Sequence, residues 1–224
     1  MDRLHRIRLL MGDAAIEKLQ KSTVMVVGCG AVGSFVIEAL ARSGIGNLII
    51  VDFDKIEESN INRQLFALST NVGEPKVTVA AARIAEISPD INVTALNMFF
   101  DAETELEIRP DFVIDAIDTV PSKIALAAWC AKNNVPMIAS MGAALKTDIT
   151  KIKVAPISKT SVCPLAARVR RAVREQGLPD FATVFSSETP AVPALAGRNL
   201  GSMITVTGAF GLHLADYAIK YLIQ

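Results

Sequence analysis

Three glycines spaced Gly28-x-Gly30-x-x-Gly33 follow a β-branched run, Thr23 to Val27, and precede an apolar stretch with Phe35, Val36, Ile37, Ala39 and Leu40. Strand, glycine turn and helix in that order let the backbone approach a phosphate while unpaired amides and the positive helix end face the anion. Asp52 closes the next apolar run, Asn47 to Val51, where a carboxylate can accept hydrogen bonds from ribose hydroxyls. Such a loop also serves dinucleotide oxidoreductases, and the glycines alone could merely permit close strand–helix packing. The segment from Asp52 to Gln64 separates these readings. It brings Arg63 and several amides close behind the ribose-binding end, and Lys76 adds a second cation near the same strand ends, a set that suits a triphosphate better than a nicotinamide.

The elements that must position these groups alternate. Thr23 to Val27, the helix after Gly33, and Asn47 to Val51 form a parallel, right-handed βαβ unit. Helical spacing covers Glu74 to Ile87, strand alternation Ile91 to Met98, and a buried strand Phe112 to Ile117. A helix over Ser122 to Asn133 and a strand over Pro136 to Ser140 complete the pattern of an α/β doubly wound sheet. After Gly142 the parallel alternation is expected to lapse into an antiparallel extension. Thr150 to Ile157 and Phe181 to Ser186 read as strands, and Leu165 to Glu175 as a basic helix. Thr189 to Ser202, with two prolines and two glycines, reads as a surface crossover loop before a buried helix at Met203 to Leu222.

At 224 residues one large α/β domain is expected. A hydrophobic content of 51% argues against disorder, because a chain this apolar can offset its backbone entropy by burial. With 23 basic and 23 acidic side chains, no global field marks a polyanionic partner. Cys29, Cys130 and Cys163 form no CxxC pair, which removes the usual spacing of structural zinc and of a disulfide framework. Met1 to Met11 carries Asp2, Arg3, Arg6 and Arg8 and lacks the apolar core of a signal peptide, and Met203 to Leu222 is too often interrupted for a membrane span. A cytoplasmic protein with no membrane partner is expected.

Taken together, Gly28-x-Gly30-x-x-Gly33, Asp52-x-Asp54, Ser59-Asn60-x-x-Arg63-Gln64, Val72-Gly73-x-Pro75-Lys76 and Asp115-Ala116-Ile117-Asp118 resemble, in this order, the ThiF/MoeB-like ubiquitin-activating superfamily over nearly the whole chain. The resemblance implies a single adenylating domain of Rossmann-like fold, with a nucleotide-binding half at 1–142 and a substrate-binding and dimer half at 143–224. It also implies ATP and Mg²⁺ as cofactors. Asp52 would hold the ribose beside Asp54, Asn60, Arg63 and Lys76 would grip the triphosphate, and Gln64 would support them. Asp118 would face the Mg²⁺, although an aspartate at a strand end also serves as a helix cap. The physical roles agree, since in-line attack on an α-phosphate develops charge that cations and a metal stabilise before pyrophosphate leaves. Arg3-Leu-His-Arg6-Ile-Arg-Leu-Leu-Met-Gly12 is similar to the family's amino-terminal helix, which implies a homodimer in which Arg6 reaches the other copy's ATP; a solvated basic helix is the plain alternative.

Three stretches resemble the tRNA threonylcarbamoyladenosine dehydratases within that superfamily: Ser140 to Asp148, Ile157 to Thr160 with Pro164-Leu-Ala, and Val184 to Pro190. This implies adenylation of the threonyl carboxylate on the modified adenosine of tRNA, then intramolecular cyclisation that expels AMP. Lys146, Lys151, Lys153, Lys159, Arg168, Arg170, Arg171 and Arg174 oppose only Asp148 and Glu175, a local net charge of plus six that suits a polyanion. Cys163 departs from the pattern, standing where that group carries aspartate. It reads either as a partly exposed bystander or as a thioester or persulfide nucleophile; the latter would favour activation of a ubiquitin-like sulfur carrier's terminal glycine, with a sulfur-transfer or cysteine desulfurase partner. A nucleotide-binding module without catalysis and an NAD-dependent dehydrogenase are the remaining readings.

Overall fold

The computed structural model describes residues 2–190 and 200–224. The apolar runs set its centre. β1 (Thr23–Val27), β2 (Asn47–Val51) and β4 (Phe112–Asp115) are buried on both faces, as continuous β-branched strands in a parallel sheet must be. With β3 (Asn92–Leu96), β5 (Met137–Ser140), β6 (Ile152–Pro156) and β7 (Ala182–Ser186) they form one sheet of order β3-β2-β1-β4-β5-β7-β6.

Alternate residues of each strand feed two cores. Val24, Val26, Leu48, Ile50 and Ile114 face one, against α3 (Gly33–Ser43), α4 (Lys76–Ile87) and α7 (Ile204–Leu222). Met25, Val27, Ile49, Val51 and Val113 face the other, against α5 (Val120–Asn133) and α6 (Pro164–Glu175). Each such side chain contributes about 1.5–3 kcal/mol of burial. Short helices α1 (His5–Met11) and α2 (Asp13–Lys21) precede β1; α2 buries Ala15, Ile16 and Leu19, whereas α1 buries none of its residues.

Six strands are parallel to one another, which agrees with the doubly wound expectation. The lapse after Gly142 is narrower than the sequence pattern suggested: β7 returns parallel beside β5, and β6 alone runs antiparallel, at the edge beyond β7. The physical reason is an insertion in chain order. The chain passes from β5 to the sheet edge and then fills the gap with β7. Residues 191–199 of the expected crossover loop lie outside the described residues.

The direction of winding reverses between β1 and β4. β1 leads to β2 and β3 on one side, and the chain then crosses to β4 on the other. At such a reversal the loops leaving the strand carboxyl ends diverge and open a crevice. Gly28 follows β1 and Ala116 follows β4, so both border it.

Candidate active site

The glycine turn is built by exclusion of side chains. Gly28 has φ +98°, and a Cβ there would lie 2.7 Å from the Ala116 carbonyl oxygen, so the β1 and β4 loops touch through bare backbone. A Cβ at Gly33 would lie 1.7 Å from the Gly28 carbonyl oxygen, which seats the first turn of α3 directly on the loop. Among the described residues no backbone carbonyl accepts from the amides of Gly30, Ala31 or Val32, and all three residues line a cavity of about 460 Å³. Free amides at the start of a helix form an anion cradle.

Asp52 ends β2 on the rim of that cavity. Its Oδ2 accepts from the Cys29 amide at 2.6 Å and its Oδ1 from the Asp54 amide at 2.8 Å, which ties the acidic strand tip to the glycine loop. Burial raises the Asp52 carboxyl above its ordinary value, and Lys76 with these two amides partly offsets the rise. Lys76, at the start of α4 and 8% exposed, donates to Asp54 at 2.6 Å. The carboxylate partner compensates the burial of this side chain on the cavity wall.

Arg63 lies in the turn after a short 3₁₀ segment, Glu58–Asn60. Its guanidinium donates to the Ser59 carbonyl at 2.7 Å and to the Asn62 side chain at 2.8 Å, while Gln64 is buried with its amide beside Gly30. Asp118 projects from the loop after β4, exposed, on the same cavity. Gly28, Gly30, Asp52, Asp54, Arg63, Gln64, Lys76 and Asp118 all line this one cavity.

Three expectations need correction. Asn60 does not line the cavity; its side chain accepts from the Glu57 amide and donates to Ser59, capping the 3₁₀ turn that carries Arg63. Lys146 is 4% exposed and donates to the Glu188 carbonyl, so it leaves the basic surface. Cys163 is 3% exposed instead of a partly exposed thiol, packed against Gly142 on the far side of the cavity wall. Gly33 supports the loop from beneath without lining the cavity, and Arg6 stands exposed on α1, also away from it. Cys29 and Cys130 are buried as expected, and burial pushes the Cys130 thiol up to about 12.

Other wall residues escaped the sequence reading. Phe53 and Phe99, in edge-to-face contact with centroids 4.8 Å apart, stay half-exposed beside Asp52 and offer an apolar surface next to its carboxylate. Phe53 directly follows the strand-tip aspartate, which was the available signal; Phe99 carried none. Arg168, assigned above to a polyanion surface, lines this cavity too. Below the Asp118 loop, Lys123 of α5 and Asp115 of β4 form a buried ion pair at 3.0 Å, and Asp115 Oδ1 also accepts from the Ile117 amide at 2.9 Å. That bond shapes the turn that throws Asp118 outward. Burial raises the Asp115 carboxyl, an effect Lys123 opposes. Among the described residues no three metal-ligating side chains cluster, and no helix is long and apolar enough to cross a membrane.

A doubly wound sheet with free loop amides, the carboxylates of Asp52 and Asp118 and the cations Arg63 and Lys76 at one crevice defines an α/β protein of the nucleotide-binding type. Residues 2–224 match the ThiF family model, and the chain belongs to the ThiF family. It is 47% identical over 191 residues to the tRNA threonylcarbamoyladenosine dehydratase of Bacillus subtilis strain 168, covering 84% of this chain and 75% of that protein. The Escherichia coli K12 enzyme of the same name is 33% identical over 240 residues, covering 94% and 90%. A crystal structure of the E. coli tRNA N6-threonylcarbamoyladenosine dehydratase in complex with AMP superposes with a TM-score of 0.92 at 35% identity, covering 99% of this chain and 94% of that one. The same enzyme in complex with ATP also gives 0.92, at 34% identity and 99% and 93% coverage.

Proposed function

We infer that this chain is an ATP-dependent tRNA threonylcarbamoyladenosine dehydratase that works by adenylation. The observation that carries the reading is the convergence of the glycine loop, Asp52, Arg63, Lys76 and Asp118 on one cavity of about 460 Å³. The names of its relatives supply the substrate.

In this reading the amides of Gly30, Ala31 and Val32 cradle the phosphates, Asp52 accepts from the ribose hydroxyls, and Phe53 with Phe99 flanks the base. Arg63 and Lys76 neutralise the charge that builds as a threonyl carboxylate oxygen bonds to the α-phosphorus and the bond to pyrophosphate breaks. An atom of the carbamoyl group then attacks the activated carboxyl carbon and AMP departs with the carboxylate oxygen, so the nucleoside loses one water overall. The intramolecular nucleophile needs no enzyme thiol, in keeping with the burial of Cys163.

The donor set fits Mg²⁺: Asp118, an exposed carboxylate on the cavity with no ion pair among the described residues, while Asp54 is held by Lys76, matches an ion that takes one or two protein carboxylates and completes its shell with water and phosphate oxygens. When bound, it would supply charge neutralisation at the phosphates. The reading extends to one adenylating domain over 1–224, in a cytoplasmic homodimer. Support for a second copy comes from α1, where Leu9 and Leu10 are 71% and 83% exposed. An apolar face of that kind calls for a cover, and a copy docked there would bring its Arg6 toward the neighbouring site.

Incubation with ATP, Mg²⁺ and tRNA bearing threonylcarbamoyladenosine, followed by digestion to nucleosides, tests the reading. The expected product is lighter by one water, and Asp118→Asn abolishes it while leaving thermal stability unchanged. Confirmed ATP binding with no mass change in the nucleoside would refute the proposal.

A further inference from the structure

The α6 helix walls two clefts. At its amino-terminal end Leu165 and Arg168 line the nucleotide cavity. Further along, Arg170, Arg171 and Arg174 line a separate cleft of about 540 Å³, closed on its other side by Ser158 and Asp180. From Arg168 to Arg174 the helix advances about 9 Å, so a single extended ligand can lie across both.

The cationic groups on this path are not equivalent. Arg170 is fixed, donating to the Thr160 carbonyl at 2.9 Å and its hydroxyl at 2.6 Å. Arg171 shares its charge with Glu175 at 2.7 Å on the open surface, a pairing too weak to hold it against a better anion. Arg168 and Arg174 are exposed and form no ion pair among the described residues. Among the described residues the one carboxylate lining this cleft, Asp180, is engaged by the Ser158 hydroxyl and amide and by the Phe181 amide. Lys153 adds to the same side: its cross-strand partner is Phe185, whose side chain packs in the core beneath α6, so the edge strand presents Lys153 on the α6 face.

We propose that the second cleft is a docking groove for the phosphodiester backbone of the RNA substrate, continuous through Arg168 with the nucleotide cavity. This rests on the tRNA reading above and adds to it the surface that holds the RNA. Guanidinium groups suit the role because their planar fork binds phosphate bidentately and is lightly hydrated. The chain's net charge of zero makes this local concentration the feature that brings a polyanion to one face. Nucleotides flanking the modified base would be gripped along α6, and the base itself would enter the cavity where Arg168 stands.

The experiment measures binding of an unmodified tRNA transcript by fluorescence anisotropy over a range of KCl concentrations, with the full chain and an R171Q/R174Q variant. Loss of two phosphate contacts lowers affinity by about tenfold or more and reduces the slope of log K against log salt by about one per contact. The ATP dissociation constant and the melting temperature stay at wild-type values. R171K/R174K, which keeps both charges, retains the wild-type salt slope. Wild-type affinity and slope in R171Q/R174Q overturn the groove. Because the transcript carries no modified nucleoside, binding reports on the groove whatever the outcome of the dehydration assay, whose failure would instead remove the enzymatic reading.

Discussion

Replacing Lys123 by methionine probes the support beneath the site. Both side chains of the Lys123–Asp115 pair are 1% exposed, the charges lie 3.0 Å apart, and Asp115 Oδ2 has no hydrogen-bond partner. With an effective dielectric of about 20 the attraction is roughly 5 kcal/mol, which offsets much of the cost of removing both ions from water. In Lys123→Met the methionine fills the space but leaves a buried carboxylate held only by the Ile117 amide. The expected loss is about 3–5 kcal/mol, a large share of a typical domain's stability. Asp115→Asn combined with Lys123→Met keeps an acceptor for Ile117 without the charge and recovers most of the loss. pH supplies an independent check. Burial already places the folded Asp115 carboxyl above its ordinary 3.8, and loss of the lysine moves it higher. Between 3.8 and the raised value the folded state binds more protons than the unfolded, so stability falls as pH rises through that window. The deficit of Lys123→Met relative to wild type should therefore shrink as pH is lowered from neutrality toward that raised value. Urea unfolding of the four proteins of the cycle at neutral and at acidic pH measures this. A single-variant loss under about 1 kcal/mol, or a deficit that grows on acidification, would refute the reasoning.

Gly33→Ala places a methyl 1.7 Å from the Gly28 carbonyl oxygen, so the loop must shift; a destabilisation of about 1–3 kcal/mol and loss of the ATP-induced rise in melting temperature are expected by calorimetry. Cys163→Ser should retain the water-loss activity, and in the native protein this thiol, 3% exposed, should react with a thiol reagent far more slowly than after unfolding. ATP affinity should weaken as pH is lowered toward the raised Asp52 carboxyl, because only the ionised form offers all its lone pairs to the ribose; titration calorimetry of wild type and Asp52→Asn should show the added acid sensitivity in wild type alone.

Much of the site was legible because its signals are local. Gly28, Gly30 and Gly33 announce themselves by spacing, and Asp52 by its place at the end of a β-branched run that became β2 with the same limits, Asn47–Val51. Arg63, Lys76 and Asp118 were recognisable through the ordered motifs that contain them, and their convergence on one cavity follows from parallel strands delivering all their carboxyl ends to one edge of the sheet. Asn60 shows the limit of that reading. A polar residue in a motif can serve the backbone that carries the functional group, and only the hydrogen bonds reveal which.

The sequence by itself determined the alternation of strand and helix, the anion cradle and the order of the nucleotide-binding groups, since each depends on backbone conformation and periodicity within a few residues. Tertiary structure decided the insertion of β7 between β5 and β6, the burial of Lys146 and Cys163, the pairing of Lys123 with Asp115 and the placing of Arg168 on the nucleotide cavity. Those outcomes depend on which faces meet across the sheet. Burial and charge pairing are properties of neighbours in space, and a pattern read along the chain does not contain them.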